Sequence, residues 1–272
     1  MVKTSVLMTV HDREPEVLLA ALRSLYRCGM SDAEVVIVDD RSAMDYSWVR
    51  AYAEPRFRAV KWVPTGDYPG FRFEGYGNPA HAFNVGLDLC TGDRTVIMSS
   101  DVIVTPGAVS SVDNYWKPDC MYTPTVIDMD TGWQYCGIQR QFPMPWFLVV
   151  PTATAQRIGG WNERFLDGFC FEDNDFVARM VLETDCIRVG WESKSAPTVY
   201  HQSHPQPAYG DDPLVKEANE RNKGLCRQIW GGIPFDEELS VWTMKRKPDP
   251  LGCNRLEFDT FNLKERVLGV KA

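Results

Sequence analysis

Two apolar segments of the sequence run directly into carboxylates. Residues 94–100 lead into Asp101, and residues 35–38 lead into Asp39 and Asp40. Short β-branched apolar runs are typical of buried parallel strands, and ligands of open α/β sheets bind beyond the carboxyl ends of such strands. We therefore expect both acidic groups in one crevice, where Asp101 suits a divalent metal ion bridging a diphosphate and the Asp pair suits a nucleoside.

Both acidic groups also have an ordinary structural interpretation. The pair at 39–40 can form an Asx turn that caps a helix starting near Met44. Asp101 precedes a predicted helix at Pro106, but it lies five residues away, which is too far to cap that helix well. The functional interpretation is therefore favoured for Asp101, and both interpretations stay open for the pair.

A third acidic group stands at the start of a predicted helix. Glu172 and Asp173 follow a segment that contains two adjacent glycines and Trp161. Acidic residues at a helix start complement the helix dipole, which is the ordinary interpretation. Adjacent side chains do not share one helix face, so hydrogen bonds can hold one carboxylate while the other enters a cleft as a general base. The glycines and the indole would let this segment approach a sugar ring closely.

Two of the chain's four histidines, His201 and His204, lie in one segment at the end of a predicted strand. A lone histidine is more often structural than a metal ligand. Two histidines together, in a chain that already has the metal candidate Asp101, favour the interpretation that one of them is a ligand.

The elements that must position these residues follow from apolar periodicity and turn residues. The strands predicted are 4–10, 34–38, 58–63, 94–101, 121–127, 146–149, 186–189 and 198–200. The helices predicted are 15–29, 78–92, 106–116, 152–158, 172–184 and 213–229. The alternating order of the first half is typical of a parallel sheet with right-handed crossovers. We expect a Rossmann-like α/β fold with a mostly parallel central sheet flanked by helices, followed by a C-terminal extension.

Composition and charge argue against several classes of protein. The 272 residues carry a net charge of −8 and no obvious Lys/Arg run, unlike a general nucleic-acid backbone binder. The eight cysteines form no CxxC pair, so we expect free thiols rather than a zinc ribbon or a redox motif. The first apolar stretch is too short for a signal peptide, and no apolar run is long enough to span a bilayer. We expect a cytoplasmic protein without stable membrane insertion.

The order of these motifs resembles the family 2 glycosyltransferases of GT-A fold over about residues 3–205. The segment Ala82-Phe83-Asn84-Val85-Gly86 is similar to the family's helix motif Ala-Arg-Asn-x-Gly, and the Gly-Asp of Gly92-Asp93 follows it. The DxD site of the family falls on Ser99-Ser100-Asp101, and its Glu-Asp motif falls on Glu172-Asp173.

The resemblance implies a nucleotide-sugar site, a metal site and a catalytic pair. The residues expected to bind the nucleotide sugar are Thr9, Val10, His11, Asp39, Asp40, Asn84, Ser99, Ser100 and Trp161. Among them Asp40 would hold uracil. Asp101 and His201 are the expected ligands of Mn²⁺ or Mg²⁺, with His204 as a further candidate. Asp173 is the expected base, and Glu172 would position the donor sugar or the acceptor.

Two positions depart from the family pattern. Ser99 stands where the first Asp of the DxD site is expected, and Phe83 stands in place of a common Arg, which removes a cation near the diphosphate. The single carboxylate keeps open a non-catalytic nucleotide- or sugar-binding module of the same fold. A sugar-nucleotide pyrophosphorylase is disfavoured, because residues 11–15 after the first strand do not form a Gly-rich phosphate loop.

We predict a hexosyltransferase that moves a sugar from a nucleotide-sugar donor, a UDP-sugar, to an acceptor hydroxyl with inversion and metal assistance. Residues 1–210 would form the glycosyltransferase domain, with a nucleotide-binding half at 1–104 and a catalytic half at 105–210. Residues 211–272 would form a helical extension. The acceptor is left open among a glycan, a protein, a small molecule and a modified nucleic acid base.

Overall fold

The computed structural model describes residues 2–73, 76–137, 143–184, 186–190, 197–204, 212–234, 245–248 and 254–257. Within them the strands are β1 (Thr4–Val10), β2 (Glu34–Asp39), β3 (Ala59–Pro64), β4 (Arg72–Phe73), β5 (Tyr76–Gly77), β6 (Arg94–Met98), β7 (Val102–Ile103), β8 (Met121–Thr123), β9 (Thr125–Asp128), β10 (Gln134–Cys136), β11 (Phe147–Pro151), β12 (Cys186–Val189), β13 (Thr198–His201), β14 (Lys245–Pro248) and β15 (Asn254–Glu257). The helices are α1 (Pro15–Arg27), α2 (Ser47–Ala53), α3 (Ala80–Leu89), α4 (Pro106–Tyr115), α5 (Thr152–Arg157), α6 (Glu172–Thr184) and α7 (Pro213–Trp230), and a 3-10 turn spans Glu163–Phe165.

A central sheet contains nine of the described strands, in the order β14-β15-β12-β8-β11-β6-β1-β2-β3. Strands β6, β1, β2 and β3 are parallel neighbours, whereas β11 joins β6 in the antiparallel sense. A second sheet has the order β10-β9-β13-β7, and β4 pairs with β5 in a short hairpin. The predicted α/β fold with a mostly parallel central sheet flanked by helices is confirmed.

The parallel part of the sheet lies in the core, as its sequence predicts. Val6, Leu7 and Met8 of β1 are completely buried, because helices cover both faces of a parallel sheet and leave no solvent face. Helix α3 packs directly on β1 and β2 at Gly86, where an added Cβ would collide with the side chains of Leu7 and Val38. The glycine of the motif at 82–86 therefore has a packing reason.

Two loop connections bring the predicted metal residues together. Strand β6 ends at Met98, and Asp101 lies in the turn that leads into β7. Strand β13 pairs with β7 so that His201 lies opposite Val102. The amide of Gln202 donates to the carbonyl of Asp101 at 2.8 Å. The backbone of two distant segments thus fixes His201 beside Asp101.

Three predicted segments differ from the structure. The single strand expected over 121–127 is two strands in different sheets, because Pro124 between β8 and β9 has no N–H to continue the ladder. Residues 65–77, for which the sequence predicts an irregular loop rich in Gly and Tyr, contain the short hairpin β4–β5. The extension 211–272 is not wholly helical: it starts with α7, but β14 and β15 add an antiparallel pair next to β12. The proposed boundary at residue 210 lies outside the described residues.

Cys120 takes part in a disulfide bond, so the expectation that every cysteine is a free thiol is wrong at this position. Five other described cysteines are free. The cytoplasmic location stays a prediction. None of the helices in the described ranges has the length and apolar character required to cross a membrane.

Candidate active site

A cavity of about 230 Å³ lies at the carboxyl ends of β1, β2 and β6. Seven of the residues predicted for the site line it: Thr9, Val10, His11, Asp40, Ser99, Ser100 and Glu172. Ala82 of the motif at 82–86 also lines it. So do residues to which the sequence gave no site role: Arg13, Tyr76, Gly77, Asn78, Pro79, Phe169 and Cys170. The strand ends and the start of α6 therefore meet at one crevice, as expected from the sheet topology.

The two members of the Asp39–Asp40 pair have different surroundings. Asp39 accepts a hydrogen bond from the amide of Ser42 at 2.9 Å and so forms a local turn, but this turn does not cap a helix near Met44, because α2 begins at Ser47 and has no side-chain cap. Asp40 lines the cavity and is only 5% exposed. Its carboxylate accepts from the hydroxyls of Thr65 at 3.1 Å and Tyr68 at 2.8 Å. Asp40 is thus held in a polar pocket that suits recognition of a nucleoside.

Two arginines surround the same aromatic ring beside Asp40. The guanidinium of Arg41 lies 4.4 Å from the centre of the Tyr68 ring, and that of Arg72 lies 4.7 Å from it. Both arginines also lie within 4 Å of Asp40, at 3.3 and 3.8 Å. Tyr68 and Arg72 lie in residues 65–77, where the sequence predicts neither a helix nor a strand, so it gave no signal for these contacts.

Asp101 is the centre of a buried cluster of charged and titratable groups. Its Oδ2 lies 3.1 Å from a guanidinium nitrogen of Arg13 and 3.1 Å from Nε2 of His204. Its Oδ1 lies 3.5 Å from Nε2 of His201. On the other side of the His201 ring, Nδ1 lies 3.6 Å from the carboxylate of Asp128. Both predicted histidines therefore lie next to the predicted carboxylate.

Burial and nearby charges shift the pKa values of Asp101 and His201 in this cluster. Burial raises the pKa of Asp101, but the hydrogen bond from His204 and the charge of Arg13 outweigh it, and the pKa falls to about 2. Burial lowers the pKa of His201, which favours the neutral imidazole that binds metal ions. Asp101 is consequently ionised at neutral pH.

The same cluster fits a divalent metal ion. The ligand atoms of Asp101, His201 and His204 all lie within 4.8 Å of one another. Asp101 Oδ1 is buried and has no hydrogen-bond partner among the described residues, which leaves an oxygen available for coordination. One carboxylate and two imidazoles form a donor set with both hard and borderline ligands, which Mn²⁺ accepts more readily than Mg²⁺.

The two adjacent carboxylates at the start of α6 contact different groups, because neighbouring residues of a helix do not share one face. Glu172 lines the cavity and accepts a hydrogen bond from the side-chain amide of Asn78 at 2.7 Å. Asp173 accepts from the indole N–H of Trp161 at 2.9 Å. Burial and the charge of Asp173 raise the pKa of Glu172. Burial also raises the pKa of Asp173, against the lowering effect of the Trp161 bond. At least one member of the pair can therefore take up a proton near neutral pH.

Trp161 and Asn84 are hydrogen-bonded to each other. Neither is among the residues that line the cavity. The side-chain amide of Asn84 donates to the backbone carbonyl of Trp161 at 2.9 Å, and its oxygen accepts from the backbone N–H of Trp161 at 2.7 Å. The Trp161 ring stacks on Phe83 at 4.4 Å and on Phe176 at 3.8 Å. Phe83 is thus a packing residue here. The contact of Trp161 and Asn84 with a nucleotide sugar stays a prediction.

The sequence profile of "Glycosyl transferase family 2" matches residues 5–171, which is more than half of the chain. The chain belongs to this family. The match includes the strand ends, the Asp101 turn and the approach to Glu172, so the family assignment and the cavity agree on the same part of the molecule. A search of curated protein sequences found no match.

Solved structures show that this family 2 glycosyltransferase has the GT-A fold. TarS residues 1–349 from S. aureus, in complex with UDP-GlcNAc, is 16% identical with a TM-score of 0.64, covering 86% of this chain and 68% of that one. A longer TarS structure is 17% identical with a TM-score of 0.57, covering 76% of this chain and 38% of that one. The mannosyltransferase PcManGT from Pyrobaculum calidifontis, in complex with GDP-Man and Mn²⁺, is 15% identical with a TM-score of 0.52, covering 78% of this chain and 59% of that one.

In this family 2 glycosyltransferase, the loop before the Glu172–Asp173 pair is held in place by α7, which lies beyond the residues that the family profile matches. The two residues before it, Cys170 and Phe171, have positive φ angles of 60° and 69°, which are strained for side chains of this size. Asn222 of α7 is completely buried and donates to the carbonyls of Phe165 and Cys170, both at 2.9 Å. Helix α7 therefore holds the loop that presents the pair, and the sequence gave no signal for this role.

Proposed function

We propose that the chain transfers a sugar from a UDP-linked donor to an acceptor hydroxyl, with inversion at the anomeric carbon. The observation that carries the proposal is the cavity at the carboxyl ends of β1, β2 and β6, which joins Asp40 to Ser99, Ser100 and Glu172. Such a transfer needs three parts: a polar pocket for the nucleobase, a strand end for the phosphates and an acidic helix start for the acceptor.

Nucleotide recognition rests on the groups around Asp40. Its carboxylate, oriented by Thr65 and Tyr68, would accept the N–H of a uracil ring, and Thr9, Val10 and His11 of the β1 end would line the nucleoside site. Residues 1–104 would form the nucleotide-binding half and residues 105–210 the catalytic half, with 211–272 as an extension. The acceptor is a glycan, a protein, a small molecule or a modified nucleic acid base.

Asp101, His201 and His204 would hold Mn²⁺ or Mg²⁺. When bound, such an ion acts as a Lewis acid that neutralises the charge developing on the departing diphosphate. The chain's own contribution is to keep Asp101 ionised and His201 neutral, in the burial described above.

Asp173 would remove the proton from the acceptor hydroxyl as this hydroxyl attacks the anomeric carbon. Its raised pKa makes it a stronger base than an exposed aspartate. The bond from Trp161 fixes the orientation of the carboxylate, and Glu172 would position the donor sugar or the acceptor from the cavity wall. The two carboxylates thus have separate roles.

A panel of UDP-, GDP- and TDP-sugars tests the transfer, with release of the free nucleotide as the signal and titration calorimetry for binding. We expect turnover with a UDP-sugar and a binding constant for UDP that improves with Mn²⁺. Binding without release of nucleotide from any donor would support the non-catalytic module instead. NMR of the product anomer decides between inversion and retention.

The substitution Asp173→Asn tests the base. It keeps an acceptor for the Trp161 indole but cannot take up a proton, so turnover should be abolished while UDP binding stays intact. Asp167→Asn is the matched control, because Asp167 lies in the same loop region and is 61% exposed. Near-normal turnover of Asp173→Asn together with loss of turnover in Glu172→Gln would move the base to Glu172.

A further inference from the structure

We propose that Arg13 is a diphosphate-binding residue that shares Asp101 with the metal ion, and this inference rests on the proposed nucleotide-sugar function. Arg13 lies three residues after the end of β1 and lines the same cavity as Ser99 and Ser100. No motif of the sequence assigned it a role. The role follows from its position, its charge and its unused hydrogen-bond donors.

The Arg13 side chain has a hydrogen-bond donor that no described residue uses. Its guanidinium pairs with Asp101 Oδ2 at 3.1 Å, and its side chain is 15% exposed. Its Nε is buried and has no hydrogen-bond partner among the described residues. A guanidinium has five N–H donors in a fork that matches phosphate oxygens, so one contact with a carboxylate leaves donors for a second anion. A diphosphate in the cavity would be that anion.

Arg13 also supplies a charge that the sequence departure at Phe83 removes. Phe83 is stacked on Trp161 and is 7% exposed, so position 83 offers no cation to the cavity. Arginine stays protonated at every physiological pH. Arg13 is therefore a permanent positive charge at the site where the phosphates would lie.

Arg13 and a metal ion compete for one carboxylate when no phosphate is present. Asp101 Oδ2 is the oxygen that contacts both Arg13 and His204, and Asp101 is the one carboxylate of the described metal cluster. Two cations at one buried carboxylate repel each other, whereas a diphosphate attracts both. The geometry therefore gives Arg13 opposite effects on the two ligands: it weakens binding of the metal ion alone and strengthens binding of the diphosphate.

The test is the substitution Arg13→Gln, studied by titration calorimetry with four probes: UDP without metal, inorganic pyrophosphate, uridine and Mn²⁺ alone. Loss of a charge-assisted contact should lower the affinity for UDP and for pyrophosphate by about 10- to 100-fold. Affinity for uridine should stay unchanged, and affinity for Mn²⁺ alone should rise. Arg27→Gln removes the same charge from an exposed position on α1 and should change none of the four values.

Arg13→Lys keeps the charge without the fork and should give intermediate UDP affinity, which guards against a folding defect of the glutamine variant. Unchanged UDP and pyrophosphate affinity in Arg13→Gln, or weaker binding of Mn²⁺ alone, would overturn the inference. If the wild-type chain binds pyrophosphate through Arg13 but does not bind UDP, the inference stands and the nucleotide-sugar function fails. If the wild-type chain binds neither, both fail.

Discussion

The substitution Asn222→Ala should loosen the loop before α6 without unfolding the protein. Asn222 is completely buried, and its amide donates to the carbonyls of Phe165 and Cys170, each at 2.9 Å. Alanine removes both donors, and water entering the vacated space compensates part of the loss. With about 1 kcal/mol for each bond, the total is about 2 kcal/mol, or about a 30-fold increase in loop opening.

Hydrogen exchange measures this opening directly. The amide of Phe169 donates to the carbonyl of Ala218 at 3.0 Å, so its exchange rate reports on whether the loop stays docked on α7. We expect faster exchange across residues 166–171 in Asn222→Ala and little change in the strands of the central sheet. Arg221→Ala is the matched control, because its ion pair with Asp167 is 57% and 61% exposed and worth about 0–1 kcal/mol. Equal exchange in the two variants would refute the role of Asn222.

Three further results are expected. Because burial raises the pKa of Asp173, kcat/KM should fall with decreasing pH well above the usual aspartate range, and a pH–rate profile measures that limb. Burial raises the pKa of Glu34, but hydrogen bonds from Lys61 and Ser5 lower it further, to about 2. The stability that Glu34 contributes is therefore complete above its ordinary pKa of 4.5 and lost as pH falls towards 2, so urea unfolding of wild type and Glu34→Gln should converge in that window. Gly168→Ala should lower the melting temperature, since its Cβ would lie 2.7 Å from the Ala218 carbonyl oxygen, and overpacking costs about 1–3 kcal/mol. An unchanged melting temperature would show that the loop yields at no cost.

The strands that could be predicted are those whose side chains form a recognisable apolar pattern in the sequence. Strands β1, β2 and β6 are buried on both faces, so their sequences are continuous apolar runs that predict strands. Strands β14 and β15 pair through their backbones at one end of the sheet, and their sequences, Lys-Arg-Lys-Pro and Asn-Arg-Leu-Glu, have no apolar alternation. Sequence periodicity therefore does not reveal them.

The same distinction applies to the residues of the candidate site. Asp40, Asp101 and Glu172 were identifiable because each follows or begins a recognisable element. Asn78 contacts Glu172 across 94 residues of sequence, and Asn222 contacts Phe165 across 57. Such contacts depend on the tertiary packing of α6 and α7, which one sequence does not encode in any local pattern. Tyr68 is a similar case, because its loop has no periodicity.

The indole of Trp161 makes the site optically observable. Trp161 is 1% exposed, its ring is stacked between two phenylalanines, and its N–H donates to Asp173. The electronic transitions of an indole respond to the charge at its N–H, so protonation of Asp173 would appear as a change in near-ultraviolet circular dichroism. With nine tryptophans in the chain, the difference spectrum between wild type and Trp161→Phe isolates that signal. The protein thus contains its own spectroscopic probe for the charge of its proposed base.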